Sequence, residues 1–221
     1  MLYRCFIPCG LIAALMLGGC QSMVYKAWET VGVEKRELLV DRVEDARDAQ
    51  AKAGEQFQTT LERFRSVVNF DGGDLEKLYD RLNREYQRSV DRAEQVKARI
   101  DAVEDVADAL FSEWERELDE YQSANLRRQS RRMLDRTRAR YHEMLAAMRR
   151  AERSIPPVLE AFQDQVLFLK HNLNARAVAA IRNELVTIER ETADLLAAMQ
   201  QSIAEADRFI QTLKDEQGSS G

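Results

Sequence analysis

Residues 82–114 read LNREYQRSVDRAEQVKARIDAVEDVADALFSEW, a stretch without proline or glycine. Its apolar or small side chains recur at steps that alternate between four and three residues, from Leu82 and Tyr86 to Leu110 and Trp114. A repeat of this kind forms a continuous apolar seam along a helix and is typical of coiled coils. The stretch therefore predicts a long amphipathic helix whose seam is buried against other helices.

The same pattern extends over most of the chain. Two further seams are made of Ile155, Leu159, Phe162, Val166, Leu169 and Leu173, and of Val178, Ile181, Leu185, Ile188, Thr192, Leu195 and Met199. A less regular, alanine-rich seam runs from Trp28 to Val67. Good helix formers dominate, and alternating strand patterns are absent, so the sequence predicts an all-α protein.

Three short breaks divide the pattern: NFDGGD at residues 69–74, YQSAN at 121–125 and HNLN at 171–174. They predict helices near residues 22–69, 74–121, 124–171 and 175–214, with Asp74 and Asn174 as helix caps. Each helix would be about 60–70 Å long. Short connections favour an elongated antiparallel bundle or coiled coil of three to four long helices, and both a monomer and a homodimer fit the pattern.

The sequence SIPP at residues 154–157 interrupts the third predicted helix. Two consecutive prolines remove two backbone donors and clash with the preceding turn, so a kink is expected here. Ser154 is a candidate cap for a helix that restarts with the prolines in its first turn. The kink fits either a hinge or a fixed bend.

The N-terminal segment predicts export and lipidation. Residues 1–19 carry one charge, Arg4, followed by an apolar run that is too short to span a bilayer, as in a signal peptide. Leu17-Gly18-Gly19-Cys20 resembles the bacterial lipobox, in which the cysteine is acylated and becomes the first residue. We therefore divide the chain into a signal peptide (1–19), a helical bundle domain (20–215) and a disordered tail (216–221).

The cysteine count and the net charge limit the cross-links and the kinds of partner that we expect. The chain has three cysteines and a net charge of −5. Cys5 and Cys9 would leave with the signal peptide, so no disulfide framework remains. An acidic chain is a poor candidate for binding nucleic acid, and we expect none. The membrane is the first expected partner, through a covalent lipid on Cys20.

Two charged regions are candidate sites. Asp41, Glu44, Asp45 and Asp48 form a polar face on the first helix that would suit acid–base chemistry or a metal, although helical ion pairs explain such spacing equally well. Residues 127–140 are rich in arginine, and residues 101–120 are rich in acids. The arginines suit anionic lipid head groups, but folding about residue 123 would also pair them with the acids, with Arg138 opposite about residue 109.

The turns at 69–74 and 171–174 fall at one end of the predicted bundle. Asp71, His171, Asn172 and Asn174 are therefore candidate residues of a partner-binding tip. The chain contains no nucleophile elbow, P-loop or dinucleotide fingerprint, and its two histidines lack further ligands at metal-binding spacing. We expect no enzymatic activity, no catalytic residues, no metal and no cofactor other than the lipid.

Several segments together resemble a known family. LVDRVEDARDAQAKAGEQF at 39–57, FSEWERELDEY at 111–121, VLFLKHNLNA at 166–175 and the lipobox look like an uncharacterised family of Gram-negative envelope lipoproteins, domain of unknown function 2959. The resemblance implies a lipid-anchored, all-helical periplasmic protein and assigns no activity. In such lipoproteins, Gln21 after the cysteine, in place of aspartate, implies the periplasmic face of the outer membrane.

These observations favour a tethered helical adaptor that binds another envelope protein through its distal turns. The alternative is a bundle that binds a lipid or a small amphiphile in an apolar space, with Pro156-Pro157 as a gate.

Overall fold

The computed structural model describes residues 35–72 and 74–218. Within them, the chain forms α-helices and one 3-10 helix and contains no β-strand, which confirms the all-α prediction. The helices are α1 (Lys35–Val68), α2 (Leu75–Glu117), α3 (Ala124–Arg153), α4 (Ile155–His171), α5 (Ala175–Arg182) and α6 (Leu185–Gly218), and the 3-10 helix is Leu118–Glu120. The predicted signal peptide, Cys20 and the start of the first predicted helix lie outside the described residues.

The helices form four antiparallel arms: α1, α2, α3 with α4, and α5 with α6. The ammonium of Lys35 lies 2.7 Å from Glu113, and the hydroxyls of Thr60 and Ser89 are 2.8 Å apart, which fixes α1 antiparallel to α2. Arg65 lies 2.7 Å from Glu189, so α6 is antiparallel to α1. We call the end with Lys35 and the α2–α3 turn the proximal end, and the opposite end the distal end.

The apolar seams form the core between the arms. The ring of Phe64 on α1 meets that of Phe162 on α4 edge to face, with centroids 6.4 Å apart. Near the proximal end, Tyr141 lies between Phe111 and Phe209. The largest fully buried side chains include seam positions of all four arms: Phe57, Phe64, Leu82, Ile100, Leu134, Met148, Phe162, Leu169 and Ile181.

Both predicted caps are confirmed. The Asp74 carboxylate accepts a hydrogen bond from the Lys77 amide at 3.1 Å, and this bond is the main reason that the Asp74 pKa is lowered. The Asn174 side chain accepts from the amides of Arg176 and Ala177. In the turn before Asp74, Gly72 has a φ of 139°, which side-chain-bearing residues rarely adopt. At the other terminus, α6 continues to Gly218, past the boundary at residue 215 that the sequence suggested.

The two prolines lie in the first turn of α4, as predicted, but Ser154 does not cap that helix. Its backbone keeps a helical conformation, whereas a capping side chain needs an extended one, and its hydroxyl donates to the Arg150 carbonyl at 3.1 Å. Ile155 and Val158 on the far side of the break are buried. Packing of this kind supports a fixed bend.

Buried polar side chains divide into two groups. Ser89 bonds Thr60 across the α1–α2 seam, and its hydroxyl donates to the Glu85 carbonyl. In contrast, Gln50 on α1 and Ser202 and Thr192 on α6 are fully buried, and their side-chain polar atoms have no hydrogen-bond partner among residues 35–72 and 74–218. An unsatisfied buried polar group costs about 1–3 kcal/mol, so the α1–α6 seam is held less tightly than its burial suggests.

This contrast predicts opposite effects of the same substitution. Ser202→Ala removes an unsatisfied hydroxyl and should raise the free energy of unfolding by about 1 kcal/mol, whereas Ser89→Ala removes a satisfied one and should lower it by about 1 kcal/mol. Both substitutions gain the same helix propensity, so the difference between them isolates the hydrogen bonds. Urea denaturation of the two variants measures it, and equal effects would contradict the distinction.

Candidate functional site

The distal end carries the residues that the sequence proposed as a partner-binding tip. The structure places the α1–α2 turn and the α4–α5 turn at this end, as predicted, and Arg182 donates to the Val68 carbonyl at 2.9 Å to hold α5 on α1. Asn174 caps α5, and Asn172 donates to the Phe168 carbonyl at 3.0 Å. These two amides therefore stabilise the turn.

Asp71 and His171, the other two proposed tip residues, are exposed. Among the described residues, neither side chain has a hydrogen bond or an ion pair. Their polar groups are consequently available to another molecule at the distal end.

Sequence reasoning missed the apolar side chains of this end. Among the described residues, five large apolar side chains are exposed, and four of them belong to the end of α4, the following turn and the start of α6: Leu167, Phe168, Leu173 and Val186. Their exposed fractions lie between 41% and 74%. We call these four residues the distal apolar group. Because α4 and α6 pack against each other, the group belongs to neighbouring arms.

The predicted seam position of Leu173 is therefore wrong. Helix α4 ends at His171, so the helical spacing that would have turned Leu173 inward does not reach it. The other three are apolar residues beside the seam, flanking Leu169 and Ile188, which are buried. An apolar residue at an off-seam position near a helix end is the sequence signal that would have identified them.

The polar face of α1 consists mainly of ion pairs. Glu44 lies 3.0 Å from Lys214 of α6, and Asp45 lies 3.0 Å from Arg99 of α2. Asp48 pairs with the neighbouring Arg47 at 2.8 Å, whereas Asp41 is exposed and has no ion pair among the described residues. Three of the four carboxylates thus have basic partners within or between helices, the arrangement expected of a structural face.

The predicted pairing of acid and base along the α2–α3 hairpin holds only in part, since among the described residues Arg138 alone of residues 127–140 forms an ion pair with the acidic segment. Arg138 lies 2.8 Å from Glu115, not opposite residue 109, because α2 and α3 pair in a different register, which the Phe111–Tyr141 and Glu104–Arg149 contacts share. Arg149 contacts Asp101 at 2.6 Å, Glu152 at 2.7 Å, and Glu104. Burial disfavours the charge of Arg149, but the hydrogen bonds that it donates to Glu104, Glu152 and Asp101 outweigh this effect and raise its pKa.

A groove of about 400 Å³ lies between α2 and α4, beside the proline bend. Its apolar lining includes Val90, Ala93, Ile155, Pro156 and Leu159, and glutamates lie at its edges. It is open to solvent along the surface between the two helices.

The described helices were compared with the requirements of a membrane span and of a metal site. Over residues 35–72 and 74–218, none of the helices combines the length and apolarity that crossing a bilayer requires. In that same part of the chain, no three histidine, cysteine or acidic side chains come together as a metal site would need. His142 lies against the Tyr141 ring, with centroids 5.2 Å apart.

Comparison with known proteins identifies the family. A search of curated proteins finds no match to this chain. A family model described as "Protein of unknown function (DUF2959)" matches residues 24–213, which covers nearly all of the four-arm bundle. Because the match extends over most of the chain, the protein belongs to the DUF2959 family.

Proposed function

We propose that the protein is a lipid-anchored adaptor on the periplasmic face of the outer membrane, which binds another envelope protein at its distal end. The distal apolar group is the observation that carries this proposal. Exposed apolar side chains grouped at one end of a polar bundle are typical of an interaction surface. The lipobox at Leu17–Cys20 supports the tether, and the signal segment supports the compartment.

The chemistry of the distal end favours a protein partner. The distal apolar group offers apolar area at this end, and Asp71 and His171 offer exposed polar groups at the same end. An apolar centre with a polar rim is the usual composition of a protein interface. Asn172 and Asn174 contribute indirectly, since their hydrogen bonds hold the turn that presents Leu173.

Photocrosslinking in living cells tests the adaptor role. A photoreactive amino acid at His171 should capture a specific envelope protein, whereas the same probe at Lys52, exposed in the middle of α1, should not. Adding Phe168→Ser should reduce capture about tenfold, because a large apolar interface residue commonly contributes more than 1 kcal/mol. Capture that is equal from both positions, or unchanged by Phe168→Ser, would contradict the proposed surface.

The tether has a separate test. Labelling cells with a fatty-acid analogue should label the wild-type chain and leave Cys20→Ser unlabelled. An unmodified Cys20 thiol in the processed protein would refute the lipid anchor and would leave the crosslinking result to stand by itself.

The α2–α4 groove supports a second candidate function, the binding of a small amphiphile. Its volume suits one short aliphatic chain. Three glutamates against one lysine in its lining, namely Glu94, Glu152 and Glu160 with Lys97, favour a cationic head group. A fluorescent short-chain alkylamine should bind wild type, and Ala93→Trp, which fills the groove, should abolish binding. Ala98→Trp, on an exposed part of α2, is the control. Equal binding by both variants would remove this candidate.

A further inference from the structure

Five exposed arginines lie on one side of α3 near the proximal end. They are Arg127, Arg128, Arg131, Arg132 and Arg136, and we call them the basic face. Steps of one, three and four residues keep them on the same half of the helix. Leu134 and Tyr141, on the opposite half, are buried. The basic face is therefore turned away from the core of the bundle.

Pairing with the acidic segment of α2 does not neutralise this face. Arg138 contacts Glu115, but it belongs to the half-buried edge of α3. Arg127 donates to the Tyr121 carbonyl, and the other four arginines of the basic face have no direct ion pair with any described residue. The hydrogen bond from Arg138 is the main reason that the Glu115 pKa is lowered, and Arg131 is near enough to Glu115 to add its charge to this effect. Asp135 is the single acid in residues 124–139.

Exposed acids do lie nearby, on the α2 side of the turn. Glu117, Asp119 and Glu120 reduce the net charge of the whole proximal end. At about 0.1 M salt, charges interact over roughly 10 Å, so the basic face attracts anions only at close range. The basic face is consequently suited to binding an anionic surface in direct contact, and not to attracting charged molecules from a distance.

The position of the face relates it to the N-terminal tether. Lys35 is paired with Glu113 at the proximal end, so the chain from Cys20 joins the bundle there. That segment of about 15 residues spans at most about 50 Å when fully extended.

We infer that the basic face of α3 binds the anionic phospholipid surface beside the lipid anchor. The inference uses the proposed tether to place the membrane at the proximal end. The attraction between the arginines and anionic head groups does not depend on the tether. Four exposed guanidinium groups without a direct ion pair are spread over about two helical turns and match several head groups at once. None is buried as a pocket for a single phosphate would require. The face therefore suits contact with a charged surface, and its role would be to hold the proximal end of the bundle against the membrane that carries the anchor.

Vesicle co-sedimentation of the full chain carrying Cys20→Ser tests this inference, because the acyl group is then absent. Binding to vesicles rich in phosphatidylglycerol should exceed binding to pure phosphatidylcholine and should weaken with salt. Substitution of Arg128, Arg131 and Arg132 by glutamine should weaken binding to the anionic vesicles on the order of 100-fold, from about 1 kcal/mol per arginine.

Two matched variants define the result. Substituting Arg81, Arg84 and Arg190 by glutamine removes the same charge from exposed distal positions and should leave binding unchanged. Substituting Arg128, Arg131 and Arg132 by lysine should retain most of the binding, because a membrane surface responds to charge. Equal loss in the distal variant, equal loss in the lysine variant, or no preference for anionic vesicles would each overturn the inference. Loss of Cys20 labelling in cells would instead overturn the tether alone.

Discussion

Replacing Phe162 by alanine should lower the free energy of unfolding by about 3–5 kcal/mol. Phe162 is fully buried on α4, and its ring packs edge to face against Phe64 of α1. The substitution removes the largest apolar contact of α4 and leaves a cavity that rigid neighbouring helices fill only in part. For a chain of this length, the melting temperature should fall on the order of 10 °C.

Phe168→Ala on the same helix is the matched control. Phe168 is 41% exposed, so its loss should change the free energy of unfolding by less than about 1 kcal/mol. Urea denaturation followed by circular dichroism measures both variants. Similar losses for the two phenylalanines would contradict the burial pattern, and would also place Phe168 in the core instead of the distal apolar group.

Replacing Arg149 by methionine should lower the free energy of unfolding by about 2 kcal/mol at neutral pH. Methionine keeps the apolar stem of the side chain but removes the guanidinium that lies between Asp101, Glu104 and Glu152. The effect is smaller than that of a fully buried ion pair because the Arg149 side chain is 22% exposed. Arg150→Met, at an adjacent exposed position without an ion pair among the described residues, should have little effect.

The Arg149 effect should depend on pH in a defined direction. Hydrogen bonds from Lys97 and Arg149 hold the pKa of Asp101 below its ordinary value. A carboxylate with a lowered folded-state pKa stabilises the fold above its unfolded-state pKa, and that stabilisation is lost as the pH falls through the folded-state value. The difference between wild type and Arg149→Met should therefore shrink as the pH falls from about 5 to about 3. A constant difference over this range would contradict the ion-pair explanation.

The two ends of the bundle differ in surface chemistry. The proximal end, where the chain from Cys20 enters, exposes arginines on α3, and the distal end exposes the distal apolar group. This polarity matches the two proposed attachments, a membrane at one end and a protein at the other. Phe168→Ser and the glutamine variant of the basic face should consequently act independently, each reducing one kind of binding.

The helices were predictable because their signals are local. The four–three spacing of α2, the proline pair and the capping residues Asp74 and Asn174 all act within one or two helical turns. The prediction that Ser154 caps α4 was wrong because a serine at this position has two possible local hydrogen bonds. It can accept from the first turn of the next helix, or donate to the carbonyl one turn earlier, and the helical backbone at Ser154 favours the bond to Arg150. For the candidate site, the sequence predicted the two turns that form the distal end but not the exposed apolar side chains there.

The sequence by itself determined that this chain forms long amphipathic helices with antiparallel neighbours, because the apolar periodicity and the short breaks are local features of the sequence. Only the tertiary structure decided which residues near a helix end face solvent. Leu173 has the spacing of a core residue, yet it is exposed because α4 stops two residues earlier. Tertiary packing also decided that Arg138 is paired and Arg132 is not, because that depends on which partner helix lies within reach of each side chain.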